Sequence, residues 1–299
     1  MRHLIDRLPP AYQPYARLMR LHQPIGTWLL LWPCWWSIAL ASEGMFPNWF
    51  LILWFAIGAV VMRSAGCVIN DLWDKGIDAK VERTKQRPLA SGELTSKQAL
   101  RLIAGLFMIG LFILLSLNLL TISLGLLIVI PVIIYPLMKR LTFWPQAFLG
   151  LVFNWGAIMG WTAVTNQINV APVLLYIACN FWTLGYDTIY AHQDKEDDAL
   201  IGVKSTALLF GDGTRKWMKL FYYSMFMLLI VSGVLAGLGD GFFIGMVFVG
   251  LHLFWQVRTL DIHNPENCKN RFRSNAIFGW LVLAAIIAGK VEILNVFYR

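Results

Sequence analysis

Asn70, Asp71, Asp74 and Asp78 stand at relative positions 0, 1, 4 and 8, at the end of a long apolar run. If that run is a helix that continues past its apolar part, Asn70, Asp74 and Asp78 share one stripe, since residues three and four apart lie on one face. Asp187, Tyr190, Asp194 and Asp198 end a later apolar run at positions 0, 3, 7 and 11, again one stripe on a continuous helix. Ten of the 17 carboxylates fall in these two short segments and the loops that follow them. Two ladders of negative charge repel unless a cation sits between them. Oxygen donors of this kind suit a hard ion such as Mg²⁺, which commonly bridges a few carboxylates to substrate phosphates. The spacing therefore predicts a phosphate-bearing substrate. Arg83, Lys85 and Arg87 follow the first ladder and Lys139 and Arg140 close another apolar run, placed to take phosphate oxygens that the metal leaves free.

A charged loop beside a membrane is ordinarily just solvated, and basic residues there ordinarily meet lipid headgroups. Neither account explains two acidic stripes. Arg63 is the sharper signal, because it lies inside an apolar run, seven residues before Asn70 and on its face. A charge at that depth is a functional-site hypothesis by default. Tyr135, four residues before Lys139, is expected to line the site or the interface. His192 reads as an interface residue. Lys290 reads as a snorkelling side chain or a partner of Glu292. Gly156 and Gly160 read as a helix-packing pair.

The elements that must position these residues are membrane helices. The chain has 299 residues, 58% of them hydrophobic and only 14% charged, with 14 Trp and 19 Phe. Apolar runs near 20 residues fit a bilayer core. The pattern predicts an all-α polytopic membrane protein with nine transmembrane helices around a central cavity, at 23–42, 48–69, 98–116, 118–137, 145–163, 170–190, 218–237, 241–259 and 275–296. The second, fifth and sixth carry polar residues and are expected to face inward, the third and fourth to face lipid. Apart from Arg63, Lys290 and Arg299, every Lys and Arg lies in the N-terminal arm, an even-numbered loop or a span edge beside one. That asymmetry places the arm and both ladders in the cytoplasm and argues against nucleic acid as the partner of the +8 charge. With no cleavable signal or transit pattern, a bacterial inner membrane is expected. The four cysteines show no paired spacing and read as small apolar fillers. The two acidic loops lie four spans apart, which suggests one membrane domain of two related four-helix halves, about 23–140 and 145–260, plus a final helix.

Asn70 to Asp78, followed by Arg83-Thr84 and Arg87-Pro88-Leu89, resembles the first signature of the UbiA-type intramembrane aromatic prenyltransferases. Asp187 to Asp198 resembles the second, and Tyr135-Pro136-Leu137-Met138-Lys139 the family's Tyr-Lys pair. Order, spacing and span count agree over nearly the whole chain. Arg20 to Pro33 and the Asp-x-x-Tyr-Ala form of the second signature are most like the branch that prenylates 4-hydroxybenzoate for ubiquinone synthesis. The resemblance implies a polyprenyl diphosphate donor, a 4-hydroxybenzoate acceptor and release of diphosphate at the membrane. It implies Mg²⁺ on Asn70, Asp74, Asp78, Asp194 and Asp198, and donor or acceptor binding by Arg63, Arg83, Arg87, Tyr135, Lys139 and Arg140. Asp71, Asp187 and Tyr190 are then candidates to orient the acceptor or remove its proton. Rival readings are a sister enzyme using haem, homogentisate or a naphthoate, and an ion-coupled transporter. Transport is disfavoured because the carboxylates gather at one face, whereas transporter sites lie near the midplane. A phospholipid alcohol phosphotransferase would need a Gly and Arg pattern that is missing here.

Overall fold

The computed structural model describes residues 5–79 and 84–291, without the side chain of Asp197. Arg83 and Glu292 lie outside the described residues, so their expected roles are not placed. Helices appear at all nine expected positions: α1 Ile25–Ala41, α2 Trp49–Asp78, α3 Ser96–Leu115, α4 Leu119–Leu141, α5 Pro145–Thr165, α6 Val170–Ala191, α7 Thr214–Leu235, α8 Asp240–Arg258 and α9 Pro265–Ala288. Among the described residues seven helices are long and apolar enough to cross a bilayer, including α2 to α5 and α7 to α9. The other two fall short of that measure: α1 has 17 residues, and α6 carries Asn180, Tyr186, Asp187 and Tyr190. Both sit inside the bundle, where neighbouring helices rather than lipid satisfy them. Among the described residues there is no strand.

The helix starts are written locally. Asn48 caps α2 by accepting from Phe50 N at 2.9 Å, and Thr95 with Gln98 forms a capping box on α3. Asn118 caps α4 through Thr121 N (3.0 Å) and donates to the Thr162 carbonyl of α5 (2.7 Å). Asn264 caps α9, with Pro265 in the first turn. That cap starts α9 ten residues ahead of the expected 275. Its first turns are polar, and a window that averages hydropathy passes over them.

Two spans are broken where the site needs them. α4 is interrupted at Ile128 and runs through a tight turn at Tyr135–Leu137, beside Pro131 and Pro136, which lack an N–H. α5 breaks at Asn154, whose buried amide donates to the Gly150 carbonyl (2.9 Å) and to Thr183 Oγ1 of α6 (2.8 Å). Those bonds re-satisfy the polar groups that the break frees.

The main core joins α1, α6, α7, α8 and α9 around Trp32, Trp36, Trp182, Tyr186, Phe242 and Phe278. α3 buries only Ala99, Ile103, Leu106 and Ile113, and the first half of α4 only Thr121 and Gly125, as expected for lipid-facing helices. The first and last helices pack together. Trp36 Nε1 donates to the Gly279 carbonyl at 2.9 Å, the Trp32 indole lies against Gly279, and Lys290 Nζ reaches the carbonyls of Leu40 (3.3 Å) and Ser42 at the end of α1. Lys290 thus caps a helix terminus rather than snorkelling.

Gly156 and Gly160 pack α5 on α1, as read from their spacing. A Cβ at Gly160 would come within 2.7 Å of the Cys34 carbonyl oxygen and 3.1 Å of Ser37 Cβ. Gly160→Leu should cost about 1–3 kcal/mol by forcing the helices apart. Thermal melting in detergent checks it, with Gly44→Leu, where a Cβ meets nothing within 4 Å, as the neutral control.

Candidate active site

The first ladder forms as its spacing predicts. α2 runs unbroken through 30 residues to Asp78, so Asn70, Asp74 and Asp78 share one face. Asp71, Asp74 and Asp78 are all buried, at 1%, 2% and 6% exposure. Buried carboxylates need partners, and these have cations. Asp74 Oδ2 accepts from Lys139 Nζ and from Asn70 Nδ2 (3.0 Å), while Asp74 Oδ1 has no hydrogen bond and faces Arg140 Nη2 at 3.6 Å. Arg140 also donates to the Trp73 carbonyl at 2.8 Å. Arg87 Nη1 bridges Asp78 Oδ2 (2.7 Å) and Asp71 Oδ1 (3.2 Å). Burial works against the Arg87 charge, yet Asp71 and Asp78 outweigh it and raise its pKa above the ordinary value.

The second ladder differs from expectation. α6 stops at Ala191, three turn residues follow, and a separate helix Lys195–Ile201 begins with Asp194 at its N-cap. Asp187 and Tyr190 therefore lie on α6, and Asp194 and Asp198 do not continue their stripe. The break is fixed by tertiary contacts: His192 is buried with Nε2 2.9 Å from Thr214 Oγ1, and Thr188 Oγ1 lies 2.6 Å from Thr206 Oγ1. The chain after the break is tied to the end of α4, where Lys204 N donates to the Lys139 carbonyl at 2.8 Å. That bond ties the chain just after the second acidic segment to Lys139, the partner of Asp74. Among the described residues no three His, Cys, Asp or Glu side chains gather as a ready-made metal cluster.

Arg63 brings the two sides together. Its charge acts on Tyr135 of α4 and on Tyr186, Asp187 and Tyr190 of α6. Tyr190 in turn packs against Phe272 of α9, with ring centres 4.6 Å apart and the planes tilted by 46°. Arg63 lies over the Phe153 ring, 5.5 Å from its centre, and its guanidinium packs against Gly26 of α1, where a Cβ would push it from this position.

Below this cluster a cavity of about 190 Å³ runs between α2, α3, α4 and α5. Arg63 and Tyr135 line its head, and Trp54, Phe55, Ile113 and Leu117 its far part. From Arg63 to Trp54 along α2 is about 13 Å at 1.5 Å per residue. One end is charged and the walls are apolar, which suits a hydrocarbon chain whose reacting end meets polar groups at the head.

Sequence reasoning missed Arg20. It stands in the arm, well separated from either ladder in sequence, yet its Nη2 lies 2.8 and 3.1 Å from the two oxygens of Asp71. No spacing rule signals such a contact.

Residues 30–282 match the model of the UbiA prenyltransferase family. The chain is 48% identical over 290 residues to a human protein named 4-hydroxybenzoate polyprenyltransferase, mitochondrial, covering 96% of this chain and 78% of that one. Its fold is similar to the apo structure of a UbiA homologue from Aeropyrum pernix K1, with TM-score 0.72, 25% identity, and 87% of this chain and 96% of that one covered. A UbiA homologue from Archaeoglobus fulgidus bound to GPP and Mg²⁺ gives TM-score 0.65 at 16% identity, over 92% and 99% of the two chains, a likeness of fold.

Proposed function

The chain belongs to the UbiA prenyltransferase family and is a multi-pass membrane protein, and on that premise we propose that it transfers a polyprenyl group from polyprenyl diphosphate to 4-hydroxybenzoate. The bond from the prenyl C1 to the diphosphate oxygen breaks. A bond from that carbon to the ring carbon ortho to the hydroxyl forms, diphosphate leaves, and the ring gives up one proton. The observation that carries this reading is the two-character cavity, with Arg63 and Tyr135 at its head, an apolar tail region, and the buried carboxylates and cations of α2, the 84–94 loop and α4 beside the head. The name of the human relative supports the acceptor.

The residues fit a Mg²⁺ ion. Asp74 Oδ1 is a buried carboxylate oxygen without a hydrogen bond, next to Asn70, and a divalent ion would satisfy it. Asn70 and Asp74 would hold the metal, with Asp78, Asp194 and Asp198 as further ligands. When bound, Mg²⁺ would neutralise charge growing on the departing diphosphate. Arg87, Lys139 and Arg140 add fixed positive charge to the same group, and Arg83, four residues before Arg87 in the sequence, is proposed to add to it. Arg63 receives the benzoate carboxylate, with Tyr135 beside it. Asp187 and Tyr190, on the far side of Arg63, orient the phenol and take the ring proton. Ionisation leaves an allylic cation that water would capture. Phe55, Phe153 and Trp155 line the cavity, exclude water and offer ring faces to the cation.

Basic side chains crowd the arm and the even-numbered loops. This supports placing those segments in the cytoplasm, in what we read as a bacterial inner membrane. The tail can then enter from lipid while the head meets metal at the rim.

The test is one assay on membranes holding the protein, with a polyprenyl diphosphate, an acceptor and defined Mg²⁺. Prenylated 4-hydroxybenzoate and diphosphate should appear together and vanish with a chelator. Product from homogentisate or a naphthoate but none from 4-hydroxybenzoate would overturn the acceptor assignment. Undiminished turnover after exhaustive chelation would overturn the metal's role.

A further inference from the structure

Arg20 has φ +57°, and Asn166 is the other described non-glycine residue with positive φ. Asparagine tolerates that conformation, whereas arginine is disfavoured in it. Arg20 occupies the position after the cap of the short helix Gln13–Leu18, where glycine is the usual choice. Arg20 N donates to the Arg17 carbonyl (3.0 Å) and Leu21 N to the Ala16 carbonyl (3.1 Å), the bond pattern that demands the left-handed residue. An arginine kept in a glycine's place is explained by its side chain. That side chain grips both oxygens of Asp71, which is almost wholly buried. Asp71 Oδ1 also accepts from Arg87, whose other partner is Asp78. The chain of contacts therefore runs from Arg20 through Asp71 to Arg87.

The helix that presents Arg20 is anchored. Leu18 packs fully buried with Val68 and Ile69 of α2, Leu89 and Leu94 of the loop that carries Arg87, and Ile103 of α3. Arg17 pairs with Glu93 of the same loop. The arm is thus part of the wall of the diphosphate end of the site.

We propose that Arg20 is a positioning residue for the prenyl diphosphate, which it serves by locking Asp71 so that Asp71 aims the Arg87 guanidinium at the diphosphate. Asp71 is then a bridge between two arginines rather than the base that takes the ring proton. This rests on the prenyl transfer proposed above.

Arg20→Gly separates the side chain from the turn, because glycine suits the backbone at φ +57°. The eased turn offsets part of the lost pair, and Asp71 keeps Arg87, so the variant should stay folded and melt only a few degrees below the parent protein. Its KM for polyprenyl diphosphate should rise about tenfold, as expected for a lost charge-assisted contact, with KM for 4-hydroxybenzoate unchanged. Arg20→Lys, which keeps the charge without the fork, should fall between the two. Combining Arg20→Gly with Arg87→Lys should raise KM by less than the product of the single effects. A parent-like KM for the diphosphate in Arg20→Gly overturns the proposal, and so does an equal rise in KM for 4-hydroxybenzoate. Calorimetric binding of a non-hydrolysable prenyl bisphosphonate gives the same comparison without turnover. If the parent protein binds the bisphosphonate but makes no product from 4-hydroxybenzoate, the proposed reaction fails while the role of Arg20 is still decided.

Discussion

Asp74→Ala stops prenyl transfer, with the rate at saturating substrates lower by at least about 10²–10³-fold, the usual loss when charge stabilisation at a leaving group is removed. Asp74 combines three properties that its neighbours lack together. It is buried, one oxygen has no hydrogen bond, and the other contacts Asn70 and Lys139. Its carboxylate is the best-placed metal ligand of the first ladder, and extra prenyl diphosphate cannot replace it. The fold should survive, since Lys139 is a quarter exposed and can turn its ammonium to water. Asp74→Asn keeps the shape and removes the charge, so it should be nearly as inactive while melting like the parent. Product formation measured beside thermal melting checks both. An active Asp74→Asn would remove Asp74 from the metal site.

Arg63→Met raises KM for 4-hydroxybenzoate by about 10–100-fold, the equivalent of losing a charged hydrogen bond worth roughly 1.5–3 kcal/mol. None of the ion pairs among the described residues uses Arg63. It stands at the head of the cavity with its charge facing tyrosines and Asp187. A carboxylate of the acceptor would give it the partner that burial demands. KM for the prenyl diphosphate should stay near that of the parent. A phenol without the carboxylate should be a poor acceptor for the parent and no worse for Arg63→Met. Steady-state kinetics with both acceptors decides it, and a variant that loses the two substrates equally would assign Arg63 to the diphosphate.

The first ladder was legible because one helix carries it. Spacing on a continuous α2 fixes the face of Asn70, Asp74 and Asp78, and local sequence suffices. The second was half legible. Asp187 and Tyr190 sit on α6, but no Gly or Pro marks the end of that helix in Tyr190-Ala191-His192-Gln193-Asp194. Contacts distant in sequence, His192 with Thr214 and Thr188 with Thr206, end it instead. α1 read as an ordinary span, yet it is a central element whose glycine and tryptophans pack on Arg63 and α9. Hydropathy reports transfer into lipid and is silent on which neighbour a helix meets. The role of Arg20 was invisible for the same reason, since a backbone angle and a contact across 51 residues leave no trace in periodicity.

The pairing of the first helix with the last bears on how the protein is made. A nascent chain still short of Pro265 has inserted α1 without Gly279, so Trp36 has Trp182 beside it but lacks the acceptor for its N–H, and Trp32 lacks the α9 surface it lies against. Lys290 then fastens the finished ring at Leu40 and Ser42. Because α1 also carries the glycine against which Arg63 packs, a fragment lacking α9 is expected to insert but to turn over more slowly than the protein that has it.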